Sequence, residues 1–289
     1  MTAGLTQAGT HVRDDVALVP FAEAHLEGAL RLSQEMAWPY RLEDWDFALQ
    51  VGQGFVLEAA GVVIGTGAWW PYGEAHASAG MIIVAKSAQG RGYGARLMDA
   101  LLAAAHGRTI VLNSTDEGMA LYERRGFTRI GVIHQHQGIP RERPQAPPLG
   151  LVRAMAASDF EAIARLDREA TGWARRPMLH RLAQVADGHV LLRDGLPRGY
   201  ALSRLFGRGH VIGPVVADSP ADARALIEAA LARLGRVFVR IDTDADSQLG
   251  PWFEDIGLQQ VGDATTMVLG TQPSTGPARK FALANQSFN

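Results

Sequence analysis

Apolar and polar positions along the first half of this chain alternate between two spacings. Ala22–Met36 and Leu42–Val51 carry the three-to-four-residue spacing of amphipathic helices. Val16–Pro20, Phe55–Ala60, Val62–Trp70 and Ala77–Val84 have the runs and alternations of strands. Ala95–Ala105 returns to the helical spacing, with Leu97, Leu101 and Leu102 on one face. Thr109–Asn113 reads as a buried strand, Met119–Phe127 as a short helix stopped by Gly126, and the region near Thr128–Gln135 as a closing strand. The predicted class is therefore α/β.

The pattern then repeats. Gly61-Val-Val-Ile-Gly65 has a counterpart in Gly195-Leu-Pro-Arg-Gly199, Ile83-Val84-Ala85 in Val215-Val216-Ala217, and Leu121–Phe127 in Trp252–Leu258. A period of about 130 residues is a whole domain rather than a solenoid unit. The chain divides into an extension over 1–13, a domain over 14–137, a Pro-rich linker over 138–150, a second domain over 151–270 and a tail over 271–289. The tail begins loosely, but Phe281-Ala-Leu-Ala284 is apolar enough to dock.

Between the run Met81-Ile-Ile-Val84 and the helix at Ala95 lies Gln89-Gly90-Arg91-Gly92-Tyr93-Gly94. A glycine-rich turn entering a helix leaves backbone N–H groups free at the positive end of the helix dipole, a site for phosphate. The glycines let the main chain approach a ligand, since no Cβ intervenes. The spacing matches neither the dinucleotide fingerprint nor the P-loop. After Ala217 the second domain has Asp218-Ser-Pro-Ala-Asp-Ala223 instead, without glycine and with two acids that would repel a diphosphate.

Gln89-x-x-Gly92-x-Gly94, followed by Leu121-Tyr-Glu-Arg-Arg-Gly-Phe127, resembles the two signatures of the GCN5-related N-acetyltransferases (the GNAT family). The resemblance covers residues from about 14 to 137 and extends in weaker form to the second domain, which is GNAT-like without the glycine grip. It departs from the family at Thr115, where Asn is frequent. It implies two tandem GNAT-like domains, each a mixed, mostly antiparallel sheet flanked by helices. It implies acetyl-CoA as co-substrate, gripped by Gln89, Gly90, Arg91, Gly92, Tyr93 and Gly94. It further implies backbone donors for the thioester oxygen at Ile82, Ile83 and Val84, and Tyr122 as general acid. The amine would attack the thioester directly in a ternary complex, and a chain without cysteine fits that route.

The acceptor amine must lose a proton, so a base or water chain is expected. Glu74 and His76, in the turn entering the fourth strand, are the leading candidates, followed by Glu35, Asp116, His134 and His136. His134-x-His136 has metal-ligand spacing but no third partner, so no metal site is expected. Trp38, Tyr40 and Trp45, with Trp70 beside Trp69 and Tyr72, form either an aromatic wall for an apolar, aromatic or cationic acceptor or a seam against the second domain. Thr171–Arg176 would face back across such a seam. The second domain either shapes the acceptor pocket, mediates association or is an inactive duplicate.

Composition adds limits. Hydrophobic residues make up 47% and charged residues 20%, ordinary for a globular protein, and the net charge of −2 disfavours nucleic acid. No apolar run approaches a membrane span and no signal peptide is evident, so a cytoplasmic location is expected. The partner expected is a small-molecule amine, the oligomeric state being monomer or homodimer. A non-catalytic acyl-CoA sensor or assembly module is the alternative function.

Overall fold

The computed structural model describes residues 16–141 and 151–289. The extension over 1–13 and most of the linker lie outside the described residues. The first half runs β1 (Val16–Pro20), a 3-10 turn (Glu23–His25), α1 (Leu26–Glu35), α2 (Leu42–Val51), β2 (Gln53–Ala59), β3 (Val62–Tyr72), β4 (His76–Val84), α3 (Tyr93–Ala104), β5 (Thr109–Ser114), α4 (Asp116–Glu123) and β6 (Thr128–Gly138). The second half repeats it with β7 (Val152–Ala154), α5 (Phe160–Thr171), α6 (Arg176–Val185), β8 (Asp187–Arg193), β9 (Leu196–Phe206), β10 (Gly209–Ala217), α7 (Pro220–Leu234), β11 (Val239–Asp244), α8 (Gly250–Asp255) and β12 (Gln259–Leu269). One further strand, β13 (Arg279–Ala282), follows.

The two halves share one sheet, in the order β1-β2-β3-β4-β5-β12-β6-β11-β10-β9-β8-β7, with β13 on β10. That order is palindromic because the closing strands are exchanged. β12 from the second half pairs with β5 of the first, β6 pairs with β11 of the second, and β6 and β12 pair with each other. Among the described residues only β4–β5 and β10–β11 are parallel.

Both parallel pairs split. β4 and β5 pair only from His76/Thr109 to Ser78/Val111. Beyond that, β4 carries a bulge, its residues 81 and 82 opposing Gly67 alone, with Met81 at φ 52. A bulge bends its strand and disrupts the local ladder, which lets the two strands diverge. In the second half the equivalent gap is filled, since β13 pairs antiparallel with β10 from Val215/Ala282 to Ala217/Arg279. The Leu283 N–H donates to Asp242 O (2.9 Å) and the Thr243 hydroxyl to Phe281 O (2.7 Å), tying the inserted strand to β11 as well.

α1 and α2 of the first half and α5 and α6 of the second bury their apolar faces in one common core. That core includes Leu32, Trp45, Trp70 and Tyr72 from one half, Ile163, Leu182 and Tyr200 from the other, and Phe288 from the tail. The seam carries a buried polar knot. Arg175 forks onto Asp167 through Nε and Nη2, both at 2.8 Å, and Tyr200 donates its hydroxyl to the same carboxylate. The Phe288 carbonyl accepts from Arg175 Nη1 (3.2 Å) and from the Tyr72 hydroxyl. Trp173 stacks on Tyr72 at 5.4 Å, so the stretch Thr171–Arg176 does face back across the seam.

Candidate functional site

α3 begins at Tyr93 without a side-chain cap, its N-cap Gly92 being left-handed at φ 81. Gly90 is also left-handed (φ 78), and a Cβ at either glycine would meet nothing within 4 Å. Among the described residues the amides of Gly92, Tyr93, Gly94 and Ala95 receive no hydrogen-bond acceptor. These donors therefore point to open space at the positive end of a 12-residue helix, as anion binding requires. The Gln89 side chain turns back and donates to Val84 O (3.1 Å), anchoring the turn to the end of β4.

The matching corner of the second half cannot do this. Pro220 at the start of α7 has no N–H, the Ser219 hydroxyl accepts from Asp222 N (3.2 Å), and Ser219 O accepts from Ala223 N (3.0 Å). The helix start is capped by protein and carries Asp222 in its first turn.

Along β4, the Ala85 N–H bonds to Ile64 O (2.9 Å). Strand alternation then turns the Ile83 amide into the ladder with β3 and the Ile82 and Val84 amides toward the split. Ile83 is thus not available as a donor there, a correction to the expectation that all three serve. Tyr122 is 8% exposed, its ring against Phe127 (5.9 Å). Its hydroxyl lies near Ser114, at the end of β5, and takes no hydrogen bond among the described residues. Burial pushes the phenol up to about 12.

On the other side of the β4–β5 split lies a cavity of ≈270 Å³ between the two halves. The α1–α2 loop contributes Trp38 and Tyr40, the bulge Gly80 and Met81, β5 and its end Asn113 and Thr115, and β6 Gln135 and Gln137. The second half contributes Phe206, Arg208, Arg240 and Val261, and the tail Gln286 and Ser287. Tyr40 meets Phe206 edge-on at 5.4 Å. Asp44 at the start of α2 fixes the loop against the second half, chelated by Arg41 and accepting the Gly207 N–H (2.9 Å). The aromatics therefore serve both as wall and as seam.

Several predicted residues lie elsewhere. Trp45 and Trp70 are fully buried and do not reach the cavity. The Trp45 indole donates to the Ser33 hydroxyl (3.2 Å) and that of Trp70 to Ala48 O (2.9 Å), so both are core. Glu74 is exposed in the β3–β4 turn, and His76 starts β4 at the end away from the bulge. At the strand rise, His76 stands roughly 16 Å from Met81 and Glu74 farther still. Neither is placed to take a proton in the cavity. His134 and His136 alternate with Gln135 and Gln137 and so face the opposite side of β6, where His136 packs on Phe253 (5.0 Å) and His134 lies 3.8 Å from Asp263. Glu35 accepts from Lys86 N (2.7 Å) and Asp116 lies in the first turn of α4. Among the described residues no Asp, Glu or His lines the cavity, and no group of three or more His, Cys, Asp or Glu could hold a metal ion.

Sequence reasoning missed Asn113, Gln135, Gln137, Arg208, Arg240, Gln286 and Ser287. The β6 alternation could have flagged the glutamines. Asn113 ends β5 of the first half itself, whereas Arg208 and Arg240 come from the second half and Gln286 and Ser287 from the tail, which leave no local signal.

A mixed sheet built twice, with one split pair open beside an uncapped glycine-turn helix, defines a tandem acyltransferase architecture. A family model described as Acetyltransferase (GNAT) domain matches residues 50–129, and a second of the same description matches 163–281. The chain belongs to the GNAT acetyltransferase family, with two such domains in tandem. It is 28% identical over 235 residues to the uncharacterized N-acetyltransferase YitH of Bacillus subtilis (strain 168), covering 79% of this chain and 82% of that one. It is 24% identical over 218 residues to holothin acyltransferase of Pseudoalteromonas sp. (strain SANK 73390), covering 74% of each. In fold it is similar to a putative acetyltransferase from Pyrococcus horikoshii (TM-score 0.80, 20% identity, 95% of this chain and 96% of that one). It is also similar to a tandem GNAT protein from the clavulanic acid biosynthesis pathway (TM-score 0.65, 16% identity, 89% and 100%). Among the described residues no helix is long and apolar enough to cross a membrane.

Proposed function

We propose that the first domain binds acetyl-CoA and transfers its acetyl group to the primary amine of a small molecule that enters through the inter-domain cavity. The observation that carries this reading is the contrast between the two halves. The first has uncapped amides at α3 and an open split, whereas the second has a capped α7 and a split filled by β13.

Acetyl-CoA supplies the activated acetyl group. The amides of Gly92 to Ala95 hold its diphosphate. The Ile82 and Val84 N–H groups stabilise charge developing on the thioester oxygen, a preorganised interaction of the kind that dominates acyl transfer. The amine approaches from the Gly80–Met81 side. Tyr122 donates its proton to the departing thiolate, and the nitrogen, which sheds a proton as it becomes the amide, returns one to the phenolate through solvent. A phenol at about 12 facing a thiol of about 8.5 makes that donation uphill by about 5 kcal/mol, which a thiolate close by in the same buried site reduces by raising its own proton affinity.

The cavity's lack of an acidic or imidazole side chain favours a second reading, an acyl-CoA sensor without turnover. Acetyl-CoA is expected to raise the melting temperature, and Gly92→Glu to abolish the rise. No rise in the wild-type protein at millimolar ligand overturns both readings. Thiol release on an amine panel separates them, since a sensor gives stabilisation without release.

A further inference from the structure

Among the described residues the charged side chains lining the cavity are both arginines of the second half, Arg208 and Arg240. Arg240 on β11 directs Nε at both oxygens of Asp242 (2.9 and 3.1 Å), while its Nη1 and Nη2 make no hydrogen bond among the described residues. Arg208, in the β9–β10 turn, is exposed and makes no ion pair among the described residues, its guanidinium lying 4.8 Å over the Phe238 ring. Behind the Phe206 wall stands Arg204, 6% exposed, with Nε and Nη2 lacking partners. It is 3.9 Å from Asp44, whose oxygens already serve Arg41 and Gly207. Three guanidinium groups of the second half thus stand at or behind the site, against one carboxylate of that half, Asp242, while the first half's Asp44 is held by its own Arg41.

We propose that the acceptor is an amine that also carries a carboxylate, of amino-acid size. Arg208 and Arg240 hold the carboxylate, and Trp38, Tyr40 and Phe206 cover the rest of the molecule. This rests on the acetyl-transfer reading above. Guanidinium forks match carboxylates in geometry as well as charge. The cavity of ≈270 Å³ lies just under the usual range of ligand pockets, ~300–1,000 Å³, which suits a single amino acid. A polyamine or other cationic acceptor would meet like charge without a compensating acid. The same arginines lower the acceptor's ammonium pKa, because neighbouring like charges disfavour the charged form. The amine then gives its proton to solvent water and reaches its reactive neutral state, no Asp, Glu or His lining the cavity among the described residues. A role for the second domain follows, namely recognition of the acceptor's anion.

The test is thiol release from acetyl-CoA with the proteinogenic α-amino acids, each beside its methyl ester and its decarboxylated amine. At least one amino acid is expected to exceed its ester and amine by roughly 10- to 100-fold in kcat/KM, the worth of one charged hydrogen-bonded contact. Arg208→Ala should shrink that advantage through KM while leaving the thermal shift with acetyl-CoA unchanged. Arg240→Lys, which keeps a cation beside buried Asp242 and so protects folding, should do the same. Esters or amines used as well as the amino acids would overturn the proposal and leave acetyl transfer standing. Should no amine release thiol, calorimetric titration with the same amino acids decides. Binding weakened by Arg208→Ala supports the carboxylate site while transfer falls, and absence of binding overturns the site as well.

Discussion

Ser287 rests against Gly80, its Oγ 3.0 Å from where a Cβ at position 80 would stand. The last turn of the described chain thereby forms one side of the acceptor cavity at the β4 bulge. Asn285 Oδ1 closes that turn by accepting from Ser287 N and Phe288 N, both at 2.8 Å, and Asn113 Nδ2 donates to Gln286 O at the same distance. The turn cannot retreat without breaking these bonds. Gly80→Val is therefore expected to cost about 1–3 kcal/mol through overpacking. It should raise the acceptor KM while the acetyl-CoA thermal shift persists, since the glycine turn lies at the other end of the split. Unaltered acceptor kinetics in Gly80→Val would show that the tail does not bound the acceptor's site.

Arg175 and Asp167 carry the seam. Their side chains are 0% and 3% exposed, and burial alone would drive the Arg175 proton off. The carboxylate of Asp167 outweighs it, leaving the guanidinium pKa above its ordinary value. Removing one partner of such a pair strands a buried charge. Arg175→Met should lower unfolding stability by about 3–5 kcal/mol, and Arg175→Met with Asp167→Leu should recover much of that loss. Urea denaturation of the three proteins checks the order, and a double variant no better than the single would refute the stranded-charge account.

Burial also sets the acid side of stability. His136 and His189 are 1% and 8% exposed, and desolvation holds both below the ordinary histidine value. His136 Nδ1 lies 3.2 Å from Leu258 O, and since a carbonyl only accepts, that nitrogen carries the proton of the neutral ring. Between the lowered folded values and the unfolded value of about 6.5, the unfolded chain binds more protons than the folded one. Their contribution is complete above about pH 6.5 and is lost as pH falls through the folded values, at most about 1.4 kcal/mol per pH unit for each ring. Urea midpoints at about pH 7.5 and about pH 5.5 should differ in that sense, and His136→Asn should flatten the slope. An equal slope in His136→Asn would mean the ring is not buried neutral.

Tyr122 has the opposite consequence for activity. Because burial pushes the phenol up to about 12, it remains protonated throughout the range in which enzymes are assayed. The rate profile should show no loss near pH 10 attributable to this group, and Tyr122→Phe should lower kcat by roughly 10²–10⁴-fold with the acetyl-CoA KM little changed. A Tyr122→Phe enzyme within a few-fold of wild type would assign the ring to the core alone.

Most of the first half was legible because its signals are local. Leu42–Val51 is a helix over the span its pattern predicts, and Gly90 and Gly92 take the left-handed conformation a glycine turn invites. Tryptophan composition was a poorer guide. Trp38 reaches the cavity and Trp45 does not, since the loop and the first turn of α2 between them turn the second ring inward onto Ser33. The leading base candidates, Glu74 and His76, failed for a geometric reason, because strand length separates the β3–β4 turn from the bulge. Arg208, Arg240 and Ser287 were unreadable as site residues, since only the exchange of β6 and β12 and the return of the tail bring them to Gly80.

The number of acetyl-CoA molecules bound tests the asymmetry most directly. Two domains of one fold would bind two if both splits were open. β13 lies in the second split with its backbone paired to β10 and tied to β11 through Leu283 and Thr243, and Phe281 is fully buried among the core residues of that half. Displacing it exposes that core and leaves Asp242 O and the Thr243 hydroxyl without partners, a cost comparable to losing several buried hydrogen bonds at about 1–3 kcal/mol each. The α7 corner offers a diphosphate no free amide at Pro220 or Asp222 in return. Isothermal titration should therefore give one acetyl-CoA per chain, lost entirely in Gly92→Glu. A second equivalent that survives Gly92→Glu would show that β13 yields to the ligand.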